Sequence, residues 1–360
     1  MNVGRRFAGR EDMASIARAA FGPDRRLARV DRLRGGSKKG VYRLAFDDAS
    51  SAVSYVWDES ENYWPASPGE APGDGADLLA DASGSDLFEA SQARLSALGV
   101  RTPRVYLLDR SRTAYPADIA LVEDVRGGTL EKQLQRGRPA AGPILERLAA
   151  ALQVMHQYQA VRPGRLAATA ATTTTATAAT AATAATTTTT GQHRSCEQIV
   201  LDRALADLAD AAGRVGRVAA AHEQLEAATR KLAAAVRPRA RCGLIHGELG
   251  PEHVLIDDQG HPVLIDIEGA MFFDIEWEHV FLELRFGHHY RQLRAEDLDE
   301  QRVRFYRLAM HLSLVAGPLR LLDGDFPDRE PMMKIAEFNT DRALAFLSPG
   351  GGSGPLGGPG

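Results

Sequence analysis

Apolar positions follow two rhythms along this chain. Through the first third they form short strand-like runs: residues 41–44 after a Gly-rich turn, 52–57, and 119–122. Short apolar runs bounded by turn residues are the signature of strands. Residues 1–21 read instead as an Arg-rich amphipathic helix interrupted at Glu11 and Asp12, and residues 86–90 have a helical pattern. From residue 129 onward the spacing lengthens to three and four. Leu145, Leu148, Leu152 and Met155 share one face of a helix over 144–156, as a 3.6-residue period requires. The same period predicts helices within 197–236, over 277–286, over 301–322 with a kink or break at Gly317-Pro318, and over 339–347. One hairpin interrupts them: residues 254–257 and 263–266 flank an Asp257-Asp258-Gln259-Gly260 turn.

Two stretches fit neither rhythm. Residues 167–190 are alanine and threonine alone. With hydroxyls on about half of its side chains and no Leu, Ile, Val or Phe, this run is not expected to enter lipid. It cannot bury enough apolar surface to offset its ordering entropy, and a mobile insertion between helices is expected. Residues 348–360, nearly all Gly, Pro and Ser, read as a disordered end. The remaining chain is ordinary for a globular protein, with 44% hydrophobic and 25% charged residues in a length of 360 that has room for two lobes. A net charge of −4 lacks the basic stripe of a general nucleic-acid binder. Two cysteines, Cys196 and Cys242, make neither a disulfide framework nor a metal cluster. With no apolar signal-peptide core at the start, they point to the cytoplasm.

The chemistry is densest at His246-Gly247-Glu248-Leu249-Gly250-Pro251-Glu252-His253, which leads into the hairpin that closes on Asp266. Phosphotransferases of the kinase fold place a loop Asp, an Asn five residues later and an Asp on the following strand around a nucleotide's phosphates. Here the same spacing carries Glu248, His253 and Asp266. A neutral imidazole can ligate a divalent metal, although it suits softer ions than magnesium. Glutamate keeps the carboxylate of the base but moves it out by one methylene. A misplacement of about 1 Å can cost on the order of a hundredfold in rate unless the backbone compensates.

The run HGELGPEHVLID resembles the catalytic loop of the aminoglycoside phosphotransferase family, whose usual form is HGDLxxxNxLxD. That family's second signature, an Ile-Asp strand end followed by Gly-Asp-Pro-x-x-Asp, is similar to Leu264-Ile265-Asp266 and then Phe273-Asp274-Ile275-Glu276-Trp277-Glu278. A His in place of the loop Asn occurs in the family's macrolide phosphotransferase branch. The resemblance implies an α+β, bilobed, protein-kinase-like fold: a small β-rich N-lobe over 1–122, a hinge over 123–128 and a helical C-lobe over 129–347. It implies transfer of the γ-phosphoryl group of ATP or GTP to a hydroxyl of a small molecule, such as an antibiotic. Glu248 would be the catalytic base, His253 and Asp266 the magnesium ligands.

Upstream, Gly35, Gly36, Ser37, Lys38 and Lys39 could bring backbone N–H groups and two lysines near phosphates. The strand over 52–57, where a kinase carries its phosphate-gripping lysine, has none, and no lysine occurs between Lys39 and Lys132. Lys38, Lys39 or Arg43 is expected to supply that cation, and Glu89 stands where the helix glutamate partner would be. By the resemblance, adenine would lie near Glu123 to Val125, and His156 is structural. The acceptor is expected beside Glu248, within reach of Glu276, Trp277, Glu278, His288, His289 and Tyr290. Acids there suit a cationic aminoglycoside; Trp277 and Tyr290 suit an apolar ring system, or serve only the core. Two other classes stay open: a pseudokinase scaffold that binds nucleotide without turnover, and a metal hydrolase using His246, His253 and Asp266.

Overall fold

The protein, in a computed structural model, is described at residues 5, 7–34, 36–65, 78–79, 82–137, 141–166 and 194–348. Gly35, the Ala/Thr run over 167–190 and residues 349–360 of the tail lie outside the described residues.

Helix α1 (Arg10–Phe21) leads into strands β1 (Leu27–Arg32), β2 (Gly40–Phe46) and β3 (Ser51–Trp57). Glu11 and Asp12, expected to interrupt the helix, instead open it. The Gly9 N–H donates to Asp12 Oδ2 at 2.9 Å, and both acids meet the positive end of the helix dipole. Helix α2 (Ser85–Ala97) and strands β4 (Val105–Asp109) and β5 (Asp118–Glu123) complete an antiparallel sheet in the order β1-β2-β3-β5-β4. Its inner strands β3 and β5 are buried on both faces because both faces are covered there. Ile119 and Leu121 turn toward α1 with Met13 and Ile16, while Ala120 and Val122 turn the other way with Phe88 and Leu95.

The second part begins after Gly127-Gly128 with α3 (Leu130–Gln135), α4 (Ala141–Gln157) and the short strands β6 (Gln159–Ala160) and β7 (Gly164–Arg165). Helices α5 (Cys196–Arg214), α6 (Gly216–Ala220) and α7 (His222–Ala234) follow. Then come β8 (Cys242–Ile245), the hairpin β9 (Val254–Ile256) and β10 (Pro262–Leu264), and β11 (Met271–Phe273), with the loop of residues 246–253 between β8 and β9. Helices α8 (Ile275–Phe286), α9 (Glu300–Leu321) and α10 (Arg329–Ala345) close the chain. Helix α9 runs through Gly317-Pro318 without the expected break. It packs against α5, α8 and α10 at once, and that burial outweighs one lost backbone donor. Helix α10 starts ten residues before the expected 339 because its first half is exposed and carries little of the apolar face.

Three cores result. One joins α1 to the sheet, a second joins the other sheet face to α4 and the β9–β10 hairpin, and a third fills the helical part around α5 and α9. The connection between the parts is tight. Ile256 N–H donates to Gly128 O at 3.0 Å, and a Cβ on Gly127 would sit 2.1 Å from Ile256 O.

Gly127→Ala should therefore destabilise the protein by about 1–3 kcal/mol, the usual cost of forcing an atom into closed space, measured by urea unfolding. A second expectation concerns acid. Burial pushes His311 down to about 4 and His279 down to about 3. Both rings stay neutral in the fold while the unfolded chain takes up protons below about pH 6.5. Stability should fall as pH drops from 6.5 toward 4, by up to about 1.4 kcal/mol per pH unit for each ring. His311→Gln should lower that slope by one ring's share in unfolding titrations across this window.

Candidate active site

The residue that ties the sheet to the hairpin is Lys39. It lies just before β2, and because Gly40 pairs with Val56, it stands abreast of the end of β3. Its side chain is buried; Nζ donates to Asp266 Oδ1 at 2.7 Å and to Glu268 Oε1. Tyr55 of β3 offers its ring 5.2 Å from the same ammonium. Burial opposes the charge, but Asp266 and Glu268 hold the ammonium well above its usual pKa. Burial also opposes the Asp266 charge, and Lys39 with His253 holds that carboxyl well below the usual range.

Asp266 reaches this position from a left-handed backbone, φ 60° and ψ 44°, at the end of β10. Such a conformation is uncommon outside glycine, although Asp tolerates it better than most. It turns the chain so that Asp266 and Glu268, two residues apart, both meet Lys39. His253 approaches from the other side. Its Nδ1 lies 2.7 Å from the Glu248 carbonyl oxygen, a group that only accepts, so Nδ1 carries the proton. In the neutral ring Nε2 then carries the lone pair; it lies 3.6 Å from Asp266 Oδ2.

The Glu248 side chain is half exposed, with Oε1 3.5 Å from Lys38 Nζ. Its loop is held from below by Glu278. That carboxylate is fully buried, accepts the His246 and Gly247 N–H groups at 2.7 and 3.2 Å, and meets His156 Nε2 at 2.7 Å. Burial works against its charge, yet these partners hold its pKa below the usual value. His246 is also buried, pushed down in pKa by that burial, and donates through Nε2 to Ile265 O at 2.9 Å.

Several residues singled out in the sequence lie elsewhere. Glu89 is not paired with a phosphate-gripping lysine; it binds Arg110 at 3.0 Å. Arg43 forms a two-pronged ion pair with Asp124 at the hinge end of the sheet, 2.9 and 3.1 Å, away from the Gly-rich loop. Ser37 Oγ accepts from the Trp64 indole at 3.1 Å. Glu123 is locked by Arg101 at 2.7 Å, and Val125 is buried beside it in the connection. Of the expected acceptor residues, Glu278 supports the loop and Glu276 is buried in a two-pronged pair with Arg239 at 2.7 Å. Neither acid is available to a ligand. Tyr290 packs into the core beside Leu282 and Phe286, its hydroxyl 3.3 Å from His279, and His288 and His289 stack on each other beyond it. Trp277 lines a cavity.

That cavity has a volume of about 280 Å³ and runs from Glu248 and Gly269 toward α9 and α10. A smaller recess holds Lys39, Asp266 and Glu268 and shares Lys38, Glu248 and Gly269 with the larger one. Glu248 thus stands where the two spaces join.

The model of the APH phosphotransferase enzyme family matches residues 82–311, which include the loop, the hairpin and Glu278. The chain belongs to the phosphotransferase enzyme family. Solved structures agree on the fold. A thermostable mutant of aminoglycoside phosphotransferase APH(4)-Ia, in ternary complex with ADP and hygromycin B, superposes with a TM-score of 0.58 at 16% identity, covering 95% of this chain and 99% of that one. Spectinomycin phosphotransferase APH(9)-Ia, in complex with ADP and spectinomycin, gives 0.58 at 11% identity, covering 94% and 98%. Choline kinase LicA from Streptococcus pneumoniae gives 0.55 at 14% identity, covering 93% and 98%. No curated protein matches the sequence.

In this phosphotransferase the sequence reading missed Glu268, although it stands two positions past Asp266, and it missed the supporting role of Glu278. The signal for Glu278 was His156, already read as structural, which needs a buried partner. Glu278→Ala should lower the unfolding free energy by about 3–5 kcal/mol, since it strands two backbone donors and a ring nitrogen. Glu278→Gln, which keeps an acceptor for both N–H groups, should cost less; urea unfolding of the two variants checks the order.

Proposed function

We propose that this phosphotransferase moves the γ-phosphoryl group of ATP or GTP to a hydroxyl of a small molecule in the cytoplasm, with residues 1–122 as the nucleotide-covering lobe and 123–128 as the hinge. The observation that carries the reading is Glu248, a solvent-reachable carboxylate between the recess of Lys39 and Asp266 and a cavity large enough for an acceptor.

Asp266 would supply the carboxylate that magnesium takes at nucleotide sites, and His253 Nε2, 3.6 Å from Asp266 Oδ2, would add a softer nitrogen donor, with phosphates and water completing the shell. When bound, the ion would neutralise charge on the phosphate oxygens. The Lys39 ammonium has three N–H groups, of which Asp266 and Glu268 take two, so one remains for a phosphate oxygen. Glu248 accepts the hydroxyl proton as the acceptor oxygen bonds to phosphorus and the bond to the β-phosphate oxygen breaks. Lys38 Nζ stands 3.5 Å from that carboxylate.

Two neighbours of the same fold were solved with an antibiotic bound, which supports a hydroxylated antibiotic or related natural product as acceptor, in resistance or self-protection. A binding-only scaffold draws support from the two ion pairs that engage Lys39. The hydrolase alternative finds no centre: among the described residues no three His, Cys, Asp or Glu side chains gather as a metal site.

Calorimetric titration of ATP and GTP, with and without Mg²⁺, tests the proposal. Magnesium-dependent binding is expected in the wild type and should be lost in Asp266→Ala, while Lys39→Met should weaken it. Glu248→Gln should leave nucleotide affinity intact and lower acceptor phosphorylation by about 10²–10⁴-fold, the usual weight of a general base. If neither nucleotide binds, the phosphotransferase reading is wrong. If binding is normal and no acceptor is ever phosphorylated, the scaffold reading takes its place.

A further inference from the structure

We infer that Arg5 is a positioning residue: it clasps the segment that carries Tyr63 and Trp64, and through it the Gly-rich loop, to the turn between α9 and α10. What lies between the two parts of the molecule follows from the phosphotransferase reading; the clasp follows from geometry alone.

Arg5 has partners on both parts. Its Nε donates to Asp325 Oδ2 at 2.7 Å and Nη2 donates to Asp325 Oδ1, a two-pronged pair with a carboxylate 320 residues along the chain. Nη1 donates to Ser60 O at 2.6 Å and to Asn62 O at 3.0 Å, and the guanidinium carbon lies 3.9 Å from the centre of the Tyr63 ring. An exposed ion pair by itself is worth little. Here one planar fork matches the carboxylate, holds two backbone carbonyls and covers an aromatic face, on a side chain that is 20% exposed.

The gripped segment is fixed to the sheet and to the Gly-rich loop. Glu61 is fully buried, pairs with Arg32 of β1 at 2.8 Å and accepts from the Tyr42 hydroxyl of β2. Tyr63 N–H donates to Ser37 O at 2.8 Å and the Trp64 indole to Ser37 Oγ at 3.1 Å, just before Lys38 and Lys39. On the helical side the Tyr63 ring meets Phe326 edge to face at 5.4 Å, and a Cβ on Gly324 would lie 3.3 Å from Tyr63 O. A shift of the α9–α10 turn thus reaches Ser37 through a single residue, Tyr63.

Strand register shows where this joint lies. Strand β5 runs into the hinge after Glu123, which pairs with Ala52 near the start of β3, whereas residues 58–64 leave beyond Trp57 at the other end of that strand. The seven residues of β3, at about 3.3 Å each, separate the two places. Rotation about the hinge produces its larger displacement at the end remote from it, and Arg5 opposes the rotation there. Releasing Arg5 loosens the Gly-rich loop while leaving Lys39, Glu248, His253 and Asp266 in place.

Spin labels on Ala28→Cys in β1 and Ala227→Cys in α7, both exposed positions, measure the spread between the two parts; the native Cys196 and Cys242 are buried. In the full-length, nucleotide-free protein, Arg5→Ala and Asp325→Ala should each lengthen and broaden the label-to-label distance. The double variant should do no more than either alone, because both remove the same contact, and Arg5→Lys should fall between Arg5→Ala and the wild type. Mg²⁺–ATP should leave Arg5→Ala about tenfold faster than the wild type, the weight of a charge-assisted contact, measured by stopped-flow displacement. Unchanged distances in both single variants, effects that add in the double, or an unchanged release rate despite a longer distance would overturn the inference. If the wild type takes no nucleotide, the phosphotransferase reading falls and the distances still decide the clasp; normal nucleotide binding with unchanged distances removes the clasp and leaves that reading standing.

Discussion

A lysine ammonium closed off from water is the constraint on which this structure turns. Lys39 comes from the sheet side of the molecule, and the carboxylates that meet it come from the end of the catalytic hairpin. A buried cation without a counter-ion is not tolerated, and the buried Glu268 carboxylate without a cation fares no better. Each part of the fold therefore needs the other. The usual kinase solution puts the lysine in the middle of a strand and pairs it with a helix glutamate. Here the strand contributes Tyr55, the helix glutamate Glu89 is spent on Arg110, and the cation enters from the preceding loop.

The acids illustrate how proximity in sequence differs from proximity to a ligand. Glu276 and Glu278 follow Asp266 closely and flank a tryptophan, so they looked like an acceptor surface. On helix α8, however, positions 276, 277 and 278 are all buried. A carboxylate there has to find donors inside the protein. Glu276 finds Arg239 and the Asp299 N–H; Glu278 finds the backbone of the loop that carries Glu248. The second arrangement matters to function, because it fixes the main chain of the catalytic loop from beneath with a group that never meets substrate. The cavity is assembled instead from Trp64, Met271, Trp277, α9 and α10, segments that share no sequence neighbourhood.

What the sequence disclosed and what it hid follow from the range of each interaction. The hairpin, the helix at 144–156 and the spacing of Glu248, His253 and Asp266 are local, and periodicity and turn residues carry them. The start of α10 was hidden because its first turns are exposed and have little apolar face. The intact helix at Pro318 was hidden because packing by three neighbouring helices overrode a local breaker. Of three candidate cations, only geometry could choose: Arg43 is drawn to Asp124 at the hinge, Lys38 to Glu248, and Lys39 to the recess. The partners of Arg320 were hidden for the same reason, since Asp207 and Asp210 come near it only once α5 packs against α9.

The two departures from the family's loop pattern are neighbours in space, and that bears on whether the loop has decayed. His253 donates through Nδ1 to the carbonyl oxygen of residue 248 itself. The bond fixes the imidazole tautomer, so Nε2 faces Asp266 with its lone pair, and it also fixes the main chain from which the longer Glu248 side chain starts. A shorter amide at 253 would require a different path for the loop, and that path would start the glutamate from a different point. Glutamate at 248 and histidine at 253 are thus two parts of one local solution. Random loss of function has no reason to change two positions in register, or to keep a carboxylate and a metal-competent nitrogen while doing so. The coupling favours a loop rebuilt for turnover over one that has only retained its shape.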